Sequence, residues 1–418
     1  MITAGIGIKI AFLISVSFIW LMIIYQIVMT VAGYIHRIKS DALTTVLLET
    51  GGPLPPVSVI IPARNEEMVI KGTLDAMRKL LYPGGRLEFV VIDDGSTDRT
   101  AKIVTRIADV DRRVKLVQLR RTKQGHGKAG ALNRALQGVR NDIIAVYDAD
   151  NRPEPKSLEI LVRRLMADDG LGAALGKIRT VNRYRNLLTR FINMETLAFQ
   201  WIIQAGRCAL SGVSILPGTN FVIRKEVLDE CGGWDEKAVT EDTELSIRIY
   251  KRGWKIDFAP EAVSWEEEPE TFQSWLRQRT RWVQGNFYVL RKFFFSAWRF
   301  ENKFLVLQIL YFTVLYYLFL CSVLLSYVVF IGYVAGFMRV LIPGPYTAVW
   351  VCAVTLFIAE LYLVTSYEDE HTLDELALAA LMYVTYCQAW LIVVFRALWH
   401  EHVLQERTIW AKTVRFGK

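Results

Sequence analysis

The chain has 418 residues, of which 52% are hydrophobic and 22% are charged, and its mean hydropathy is +0.25. This composition excludes disorder, collagen and a coiled coil, and it predicts one sizeable water-exposed domain joined to membrane helices. The five cysteines include no CxxC pair, so a disulfide scaffold or a zinc module is disfavoured. The net charge of +8 does not by itself indicate nucleic acid, because membrane proteins collect positive charge on their cytoplasmic side.

Long uncharged runs flank a middle region that is rich in charge. The first run covers residues 10–35 and is long enough to span a bilayer, so we predict a transmembrane helix within residues 1–39. Basic residues follow at once, which places the middle region in the cytoplasm. Three later runs predict three or more transmembrane helices within residues 304–398, followed by a basic C-terminal tail, 399–418. We therefore expect a multi-pass protein of the cell membrane, with the side of its C-terminus left open.

Residues 40–282 are predicted to form one domain, in which short β-rich runs alternate with helical patterns. The predicted strands are residues 57–61, 88–92, 114–119 and 143–147. The predicted helices are residues 66–81, 98–108, 128–139 and 155–166. This alternation indicates a parallel, nucleotide-binding α/β sheet with its ligands at the carboxyl ends of the strands. Residues 283–303 mix aromatic with basic side chains, which predicts an amphipathic helix in the membrane interface.

Polar segments follow three of the predicted strands. They are Pro62-Ala63-Arg64-Asn65-Glu66, Asp93-Asp94-Gly95 and Asp148-Ala149-Asp150. Each segment alone also fits ordinary turn and helix-cap chemistry, but the three together line one edge of the predicted sheet. Asp148 and Asp150 offer the oxygen ligands that Mg²⁺ or Mn²⁺ prefers, and such an ion would bridge to substrate phosphates.

A glycine-rich segment, Gly125-His126-Gly127-Lys128-Ala129-Gly130, precedes the third predicted helix. Its glycines allow close backbone approach, and Lys128 is suited to meet a phosphate or a uridine oxygen. The segment matches neither GxGxxG nor GxxxxGK[ST], so a dehydrogenase or an ATPase is disfavoured.

Three later motifs carry groups suited to glycosyl transfer. They are Leu216-Pro217-Gly218-Thr219-Asn220, Thr240-Glu241-Asp242 and Gln278-Arg279-Thr280-Arg281-Trp282. An Asp near a sugar hydroxyl acts as a general base, and an Arg beside a departing diphosphate stabilises its charge. A Trp offers a flat face to a sugar ring. The structural alternatives are that Asp242 caps a helix and that Trp282 belongs to the core.

The DDG, DxD, TED and QxxRW motifs, in this order, resemble those of the processive family 2 glycosyltransferases. This family includes the cellulose, hyaluronan, chitin-oligosaccharide and poly-N-acetylglucosamine synthases. The resemblance covers about residues 55–300, and the poly-N-acetylglucosamine synthases resemble the chain most in length and in the run QRTRW-VQG. It implies a GT-A-type α/β nucleotide-sugar-binding domain, with a mixed, mostly parallel sheet and helices on both faces, plus an α-helical transmembrane region.

The resemblance also implies a role for each motif. It implies that the nucleotide-sugar is bound by Pro62, Arg64, Asn65, Glu66, Asp93, Asp94, Lys128 and Asp148. Asp148 and Asp150 are the implied ligands of Mg²⁺ or Mn²⁺. Asp242 is the implied base, with Glu241 beside it. The implied acceptor and diphosphate site comprises Gly218, Thr219, Asn220, Gln278, Arg279, Arg281 and Trp282.

The implied reaction is an inverting displacement that extends a β-linked exopolysaccharide, as found in biofilms, from a UDP-sugar and passes it through the membrane. N-acetylglucosamine is the favoured sugar, and cellulose is disfavoured because LPGTN replaces the acceptor motif of the cellulose synthases. The alternative is the transfer of one or a few sugars, such as glucose, to a membrane lipid. Expected partners are the UDP-sugar, the polysaccharide or lipid acceptor, membrane lipids and a small membrane accessory subunit, but no nucleic acid.

Overall fold

The computed structural model describes residues 2–3, 6–120, 126–299, 303–339 and 346–404. Its strands are β1 (Ile2–Thr3), β2 (Val57–Ala63), β3 (Leu87–Asp93), β4 (Val114–Gln118), β5 (Ile143–Val146), β6 (Arg152–Pro153), β7 (Leu171–Thr180), β8 (Phe221–Arg224), β9 (Lys255–Glu266) and β10 (Met338–Arg339). Gly125, most of the basic C-terminal tail and the end of the segment 283–303 lie outside the described residues.

The helices follow the same chain order. They are α1 (Ile6–Thr50), α2 (Ile70–Met77), α3 (Thr100–Ala108), α4 (Gly127–Leu136), α5 (Ser157–Met166), α6 (Leu187–Ala198), α7 (Ala205–Ser211), α8 (Lys225–Cys231), α9 (Glu241–Lys251), α10 (Phe272–Phe293), α11 (Lys303–Thr313), α12 (Leu320–Val334), α13 (Tyr346–Ser366), α14 (Leu373–Val384) and α15 (Tyr386–Trp399). Three π-helical segments, Phe199–Gln204, Val314–Phe319 and His400–Leu404, and a 3₁₀ segment, Phe294–Arg299, continue helices.

The central sheet has eight strands in the order β4-β3-β2-β5-β8-β7-β9-β6. The first four strands in this order pair in parallel, as do β7 and β9, whereas β8 is antiparallel to both of its neighbours and β6 is antiparallel to β9. The sheet is therefore mixed, as predicted. Because β3, β2 and β5 are parallel neighbours, the loops that follow them lie side by side at one edge.

Strand β2 shows how the sheet acquires helices on both faces. Val57, Val59 and Ile61 belong to a core that includes residues of α2, α3 and α5, whereas Ile60 belongs to a second core that includes residues of α4, α8 and α9. All four side chains are fully buried. Strands covered on both faces need apolar residues at successive positions, which explains the continuous run VSVII.

The helix predicted over 66–81 is shorter than expected. It begins at Ile70, and the backbone amides of the loop before it bind side chains that follow β3. The amide of Glu66 donates to Thr100 Oγ1 at 2.7 Å, and the amide of Glu67 donates to Asp98 Oδ2 at 3.1 Å. Side chains after β3 therefore shape the loop after β2, and they set the geometry of the sheet edge.

Two helices of the described residues are long and apolar enough to cross a membrane, Lys9–Thr50 and Leu373–Leu404. On α1, Ile14, Leu21 and Ile24 are more than half exposed, which is unlike a core helix of a water-soluble domain. Two shorter apolar helices, Leu320–Val329 and Val351–Ser366, lie in the region predicted to hold three or more spans. The multi-pass arrangement therefore stays a prediction.

Two elements differ from the predicted segmentation. Helix α1 continues past residue 39 to Thr50, and its second half packs on the sheet domain, where His36 Nε2 lies 2.9 Å from the carbonyl oxygen of Phe258. The predicted interface helix over 283–303 does not begin at 283, because residues up to Phe293 complete α10. Phe287 and Leu290 are buried, so much of this segment packs on protein rather than on lipid.

Helix α1 crosses the segment α6–α7 at two glycines. A Cβ atom on Gly33 would lie 2.1 Å from the carbonyl oxygen of Trp201, and one on Gly206 would lie 2.6 Å from that of Met29. The two backbones are therefore in direct contact, and no side chain fits between them. This contact joins the N-terminal candidate span to the sheet domain.

We expect Gly33→Ala to lower the free energy of unfolding by about 1–3 kcal/mol, the usual effect of overpacking a tight contact. The measurement is thermal unfolding of the purified protein in detergent. Gly7→Ala is the matched control, because Gly7 lies in the same helix and a Cβ there meets nothing within 4 Å. Equal melting temperatures for the two variants would contradict the close contact.

Candidate active site

The loops after β2, β3 and β5 form one end of a cavity of about 1360 Å³. Six of the predicted side chains line this end together, namely Pro62, Arg64, Glu66, Asp94, Asp148 and Asp150. Asn65 and Asp93 do not line it. Asn65 has a left-handed φ of 56° and accepts from the amide of Thr97 at 2.7 Å, and buried Asp93 accepts from the amide of Ser96 at 3.0 Å. These two side chains hold the loop after β3.

Asp94 is held by a residue to which the sequence motifs assigned no role. The backbone nitrogen of His126 lies 2.9 Å from each carboxylate oxygen of Asp94, and the ring Nδ1 lies 2.7 Å from Oδ1. The only signal in the sequence was the place of His126 two residues before Lys128. The contact fixes the start of α4 to the loop after β3.

Lys128 lies at the centre of the polar end of the cavity. Its Nζ lies 2.6 Å from Asp148 Oδ1 and 3.8 Å from Glu241 Oε1, and it donates to the carbonyl oxygen of Gly218 at 2.9 Å. Burial lowers the pKa of a lysine, but here the carboxylates of Asp148, Glu241 and Asp242 outweigh burial and raise it. Lys128 therefore stays charged, and it lies between Asp148 in the loop after β5 and the acidic pair in the first turn of α9.

Glu241 and Asp242 occupy the first turn of α9, where the helix dipole favours negative charge. Asp242 lies inside the first turn of α9, whose N-cap is Thr240, so the helix-cap interpretation of Asp242 is wrong; its Oδ1 accepts from the amide of Thr243 at 2.7 Å, and its side chain lines the cavity. Burial raises the pKa of Asp242, and it raises the pKa of Glu241 to about 7, while Lys128 acts in the opposite direction on both. These carboxylates are stronger bases than exposed ones.

The LPGTN segment packs against this acidic pair. Gly218 has φ of +82°, and a Cβ there would lie 2.8 Å from Asp242 Oδ2, so only glycine fits. Thr219 lines the cavity and accepts from the amide of Asp148 at 2.9 Å. Asn220 does not line it, because its amide group donates to the carbonyl oxygens of Lys177 and Ala262 at 3.0 and 2.9 Å. Asn220 therefore links β7 to β9 through hydrogen bonds.

The QRTRW motif lies on α10, which forms another wall of the cavity. Gln278, Arg279, Arg281 and Trp282 all line it. The guanidinium of Arg279 is buried and stacks 4.0 Å from the ring centre of Trp282, which is 39% exposed. A Cβ on Gly285 would lie 2.5 Å from Thr240 Cγ2, so this glycine lets α10 approach the TED motif closely.

Glu195 on α6 connects this wall to α15. Its Oε2 accepts from Arg279 Nη2 and from the hydroxyl of Tyr386, both at 2.8 Å, and its Oε1 accepts from Trp390 Nε1 at 2.6 Å. Glu195 and Trp390 also line the cavity. No sequence motif predicted Glu195, because a single acid within an amphipathic helix carries no spacing signal.

The far end of the cavity is mainly apolar. Its walls come from α1, α12 and α15 and include Phe12, Val16, Ile19, Leu320, Val323, Leu391 and Val394. Two of these helices belong to the candidate membrane spans. One continuous cavity therefore joins the polar end to apolar side chains of the candidate membrane spans.

Asp148 and Asp150 are the groups suited to a divalent cation. Among the described residues, no three His, Cys, Asp or Glu side chains converge as a ligand set. Two carboxylates still fit Mg²⁺ or Mn²⁺, because such ions keep several waters and take the remaining oxygens from substrate phosphates.

The sequence of this chain is similar to those of known glycosyltransferases. The chain is 40% identical to "Probable glycosyltransferase YdaM" of Bacillus subtilis, over 97% of this chain and 98% of that protein. It is 35% identical to a beta-monoglucosyldiacylglycerol synthase of Nostoc sp. over 57% of this chain, and it spans about half of that enzyme's length. A poly-beta-1,6-N-acetyl-D-glucosamine synthase of Staphylococcus aureus is 28% identical over 58% of each chain, so the sequence motifs overstated the likeness to that group.

The fold is also that of a solved glycosyltransferase. The mannosyltransferase PcManGT from Pyrobaculum calidifontis, solved in complex with GDP-Man and Mn²⁺, superposes with a TM-score of 0.54 at 22% identity, over 87% of this chain and 99% of that one. The family model described as "Glycosyl transferase family group 2" matches residues 143–364, which is more than half of the chain. Because this model matches more than half of the chain and a glycosyltransferase 40% identical to the chain matches nearly all of it, the chain belongs to glycosyltransferase family 2.

Proposed function

We propose that this chain is a membrane-bound, inverting glycosyltransferase that transfers a sugar from a UDP-sugar to a hydroxyl group of a membrane lipid. The observation that carries the proposal is the single cavity that joins Asp148 and Asp242 to apolar walls of α1, α12 and α15. An acceptor with acyl chains matches such walls, because apolar surface is most stable against apolar surface. Beta-monoglucosyldiacylglycerol synthases among the relatives support the same acceptor class.

In this proposal the residues at the sheet edge bind the donor. Asp94 and Lys128 contact the nucleotide, and Asp148 with Asp150 holds Mg²⁺ or Mn²⁺, which supplies positive charge to the diphosphate. The side chain of Lys128 is 13% exposed beside Asp148, and its positive charge favours an anionic donor.

Asp242 is the proposed base. The lipid hydroxyl attacks the anomeric carbon, the new carbon–oxygen bond forms as the bond to the diphosphate breaks, and the hydroxyl proton passes to Asp242. The UDP leaves with the bonding electron pair, and Arg281 on α10 stabilises its charge. One displacement inverts the anomeric centre, so an α-linked donor yields a β-linked product.

The candidate spans support a place in the cell membrane, with the sheet domain on the cytoplasmic side where UDP-sugars are found. Helix α1 contributes both exposed apolar residues and cavity lining. In the proposal it therefore bounds the acceptor on one side and faces lipid on the other.

A second candidate is the extension of a β-linked polysaccharide, and the observation that favours it is Trp282 beside Arg279 in the cavity wall. An exposed indole face next to the catalytic end suits a sugar acceptor as well as a lipid headgroup. The size and solubility of the product separate the two candidates.

The test is incorporation from a panel of radiolabelled UDP-sugars by the purified protein in lipid vesicles with Mg²⁺ or Mn²⁺. We expect a short product that partitions into organic solvent and appears with one donor. A high-molecular-weight product that stays out of the organic phase would contradict the lipid acceptor and support extension of a polysaccharide.

We expect Asp242→Asn to reduce transfer at least a hundredfold, the usual contribution of a general base, and to leave the affinity for UDP within about twofold. Transfer is measured with labelled donor, and UDP binding is measured by calorimetry. Asp229→Asn on exposed α8 is the matched control and should behave as wild type. Near-normal turnover by Asp242→Asn would show that Asp242 is not the general base.

The rate of transfer should rise with pH, because a base acts in its deprotonated form and burial raises the pKa of Asp242. We expect the midpoint of the pH profile of kcat/KM to lie above about 4, the ordinary value for an aspartate. Lys128→Met removes a charge that lowers this pKa, so the midpoint should move to higher pH. Lys225→Met, at an exposed pair, serves as control. An unchanged midpoint in Lys128→Met would contradict the effect of the Lys128 charge on the pKa of Asp242.

A further inference from the structure

Asn151 follows the DxD motif directly, and its side chain is fully buried. Its side-chain amide binds three segments that are distant from one another in the chain. The carbonyl oxygen accepts from the backbone amide of Asp148 at 3.3 Å and from the hydroxyl of Thr219, and the amide nitrogen donates to Glu266 Oε2 at 3.2 Å. Asn151 thus links the turn after β5 to the LPGTN segment and to the last residue of β9.

We propose that Glu266 binds a hydroxyl group of the donor sugar, and that Asn151 is the positioning residue that holds Glu266 beside the DxD motif. This inference rests on the proposed UDP-sugar donor and names the residue that recognises its sugar. A sugar hydroxyl donates a hydrogen bond to the carboxylate of Glu266, so the contact strengthens the binding of a UDP-sugar but not of UDP. The sequence motifs assigned no role to Asn151 or Glu266.

The place of the sugar follows from the groups that hold the diphosphate. In the proposed function a cation on Asp148 and Asp150 binds the diphosphate, and the sugar is joined directly to that diphosphate. The sugar therefore lies against groups of the cavity wall that are next to the DxD motif. Thr219 and Glu266 are such groups, because both line the cavity and both are hydrogen-bonded to Asn151.

Glu266 combines a fixed position with access to the cavity. Its side chain is half-buried and lines the cavity, whereas the adjacent Glu267 is buried and does not line it. Glu267 Oε1 lies 4.0 Å from Arg152 Nη2 instead. Successive side chains along an extended chain point to opposite faces, which explains the difference. A carboxylate has about four lone-pair sites, so Glu266 can accept from Asn151 and from a hydroxyl group together.

The bond from Asn151 keeps the carboxylate of Glu266 in place. A buried amide without a partner is costly, and a hydrogen bond to a carboxylate is stronger than one to a neutral acceptor. The same amide holds the backbone of Asp148, so a displacement of Glu266 would disturb the DxD motif. The geometry therefore couples recognition of the sugar to the ligands of the cation.

The test compares the binding of UDP-glucose, UDP-N-acetylglucosamine and UDP, measured by calorimetry with Mn²⁺ in the Asp242→Asn background, which prevents turnover. The two UDP-sugars share every sugar hydroxyl except the one that the acetamido group replaces. We expect Glu266→Ala to weaken the tighter-binding UDP-sugar about tenfold, the effect of losing one hydrogen bond to a charged group, and to leave UDP within about twofold. Equal losses for the UDP-sugar and UDP, or an unchanged affinity for the UDP-sugar, would overturn the assignment.

Glu88→Ala is the matched control for the loss of an acid that accepts from an asparagine. Asn141 Nδ2 lies 3.5 Å from Glu88 Oε1, and Glu88 does not line the cavity. We expect this variant to bind all three ligands like the parent protein.

If Glu266→Ala does not fold, Glu266→Gln carries the test. Glutamine keeps the shape of the side chain and can still accept from Asn151, but it offers the sugar no charged acceptor. We expect Glu266→Gln to weaken the UDP-sugar more than UDP. An unchanged affinity for the UDP-sugar in this variant would likewise overturn the contact.

The role of Asn151 is tested by exchanging the donor and the acceptor of its bond to Glu266. Asn151→Asp replaces the donating amide by an oxygen, so that two carboxylates meet. We expect this variant to melt at a lower temperature and to lose affinity for the UDP-sugar. Addition of Glu266→Gln restores a hydrogen bond of reversed direction and should recover the melting temperature but not the affinity for the UDP-sugar. A double variant that stays as unstable as Asn151→Asp would contradict the bond, and recovered affinity would contradict the role of the Glu266 carboxylate.

These binding measurements contain no acceptor, so they separate the role of Glu266 from the proposed function. If the vesicle assay yields a polysaccharide, the lipid acceptor is wrong, and a selective loss of UDP-sugar binding in Glu266→Ala still supports the sugar contact. If a glycolipid forms but Glu266→Ala binds the UDP-sugar and UDP like the parent protein, the proposed function stands and the role of Glu266 is wrong.

Discussion

The buried charge of Lys128 is the interaction on which the active site depends. Its ammonium group lies 2.6 Å from Asp148 Oδ1 and 3.8 Å from Glu241 Oε1, and its side chain is 13% exposed. Without it, Asp148 in the loop after β5 and the acidic pair of α9 would repel one another. Lys128 therefore allows a catalytic carboxylate and a donor site for an anionic nucleotide to occupy the same cavity end.

The α10 wall of the cavity contains a second charged pair, in which Arg279 is 1% exposed and Glu195 is 22% exposed. Glu195 and Arg279 compensate each other's charge, and the bonds of Glu195 to Tyr386 and Trp390 bring α15 to the same point. Since α15 belongs to a candidate membrane span, the pair connects the acceptor wall to the membrane part of the chain. Removal of either partner would leave a buried charge uncompensated, which is strongly destabilising in general.

Local sequence patterns are reliable where a motif and its strand are neighbours in the chain. The predicted strand ends do meet at one edge, because parallel neighbouring strands bring their carboxyl ends together. The pattern does not reveal which side chain of a motif faces the cavity. Asn65 and Asn220 lie in the predicted motifs, yet their amides bind backbone groups and do not line the cavity.

The sequence by itself determined strands β2 to β5, the helices α2 to α5 and the acidic segments that follow the strands, because each depends on residues a few positions apart. Only the tertiary structure decided that Glu195 meets Arg279, 84 positions away, and Trp390, 195 positions away. It also decided that one cavity runs from the carboxylates to the walls of α1 and α15. Such contacts are set by the packing of distant helices, and no local spacing encodes them.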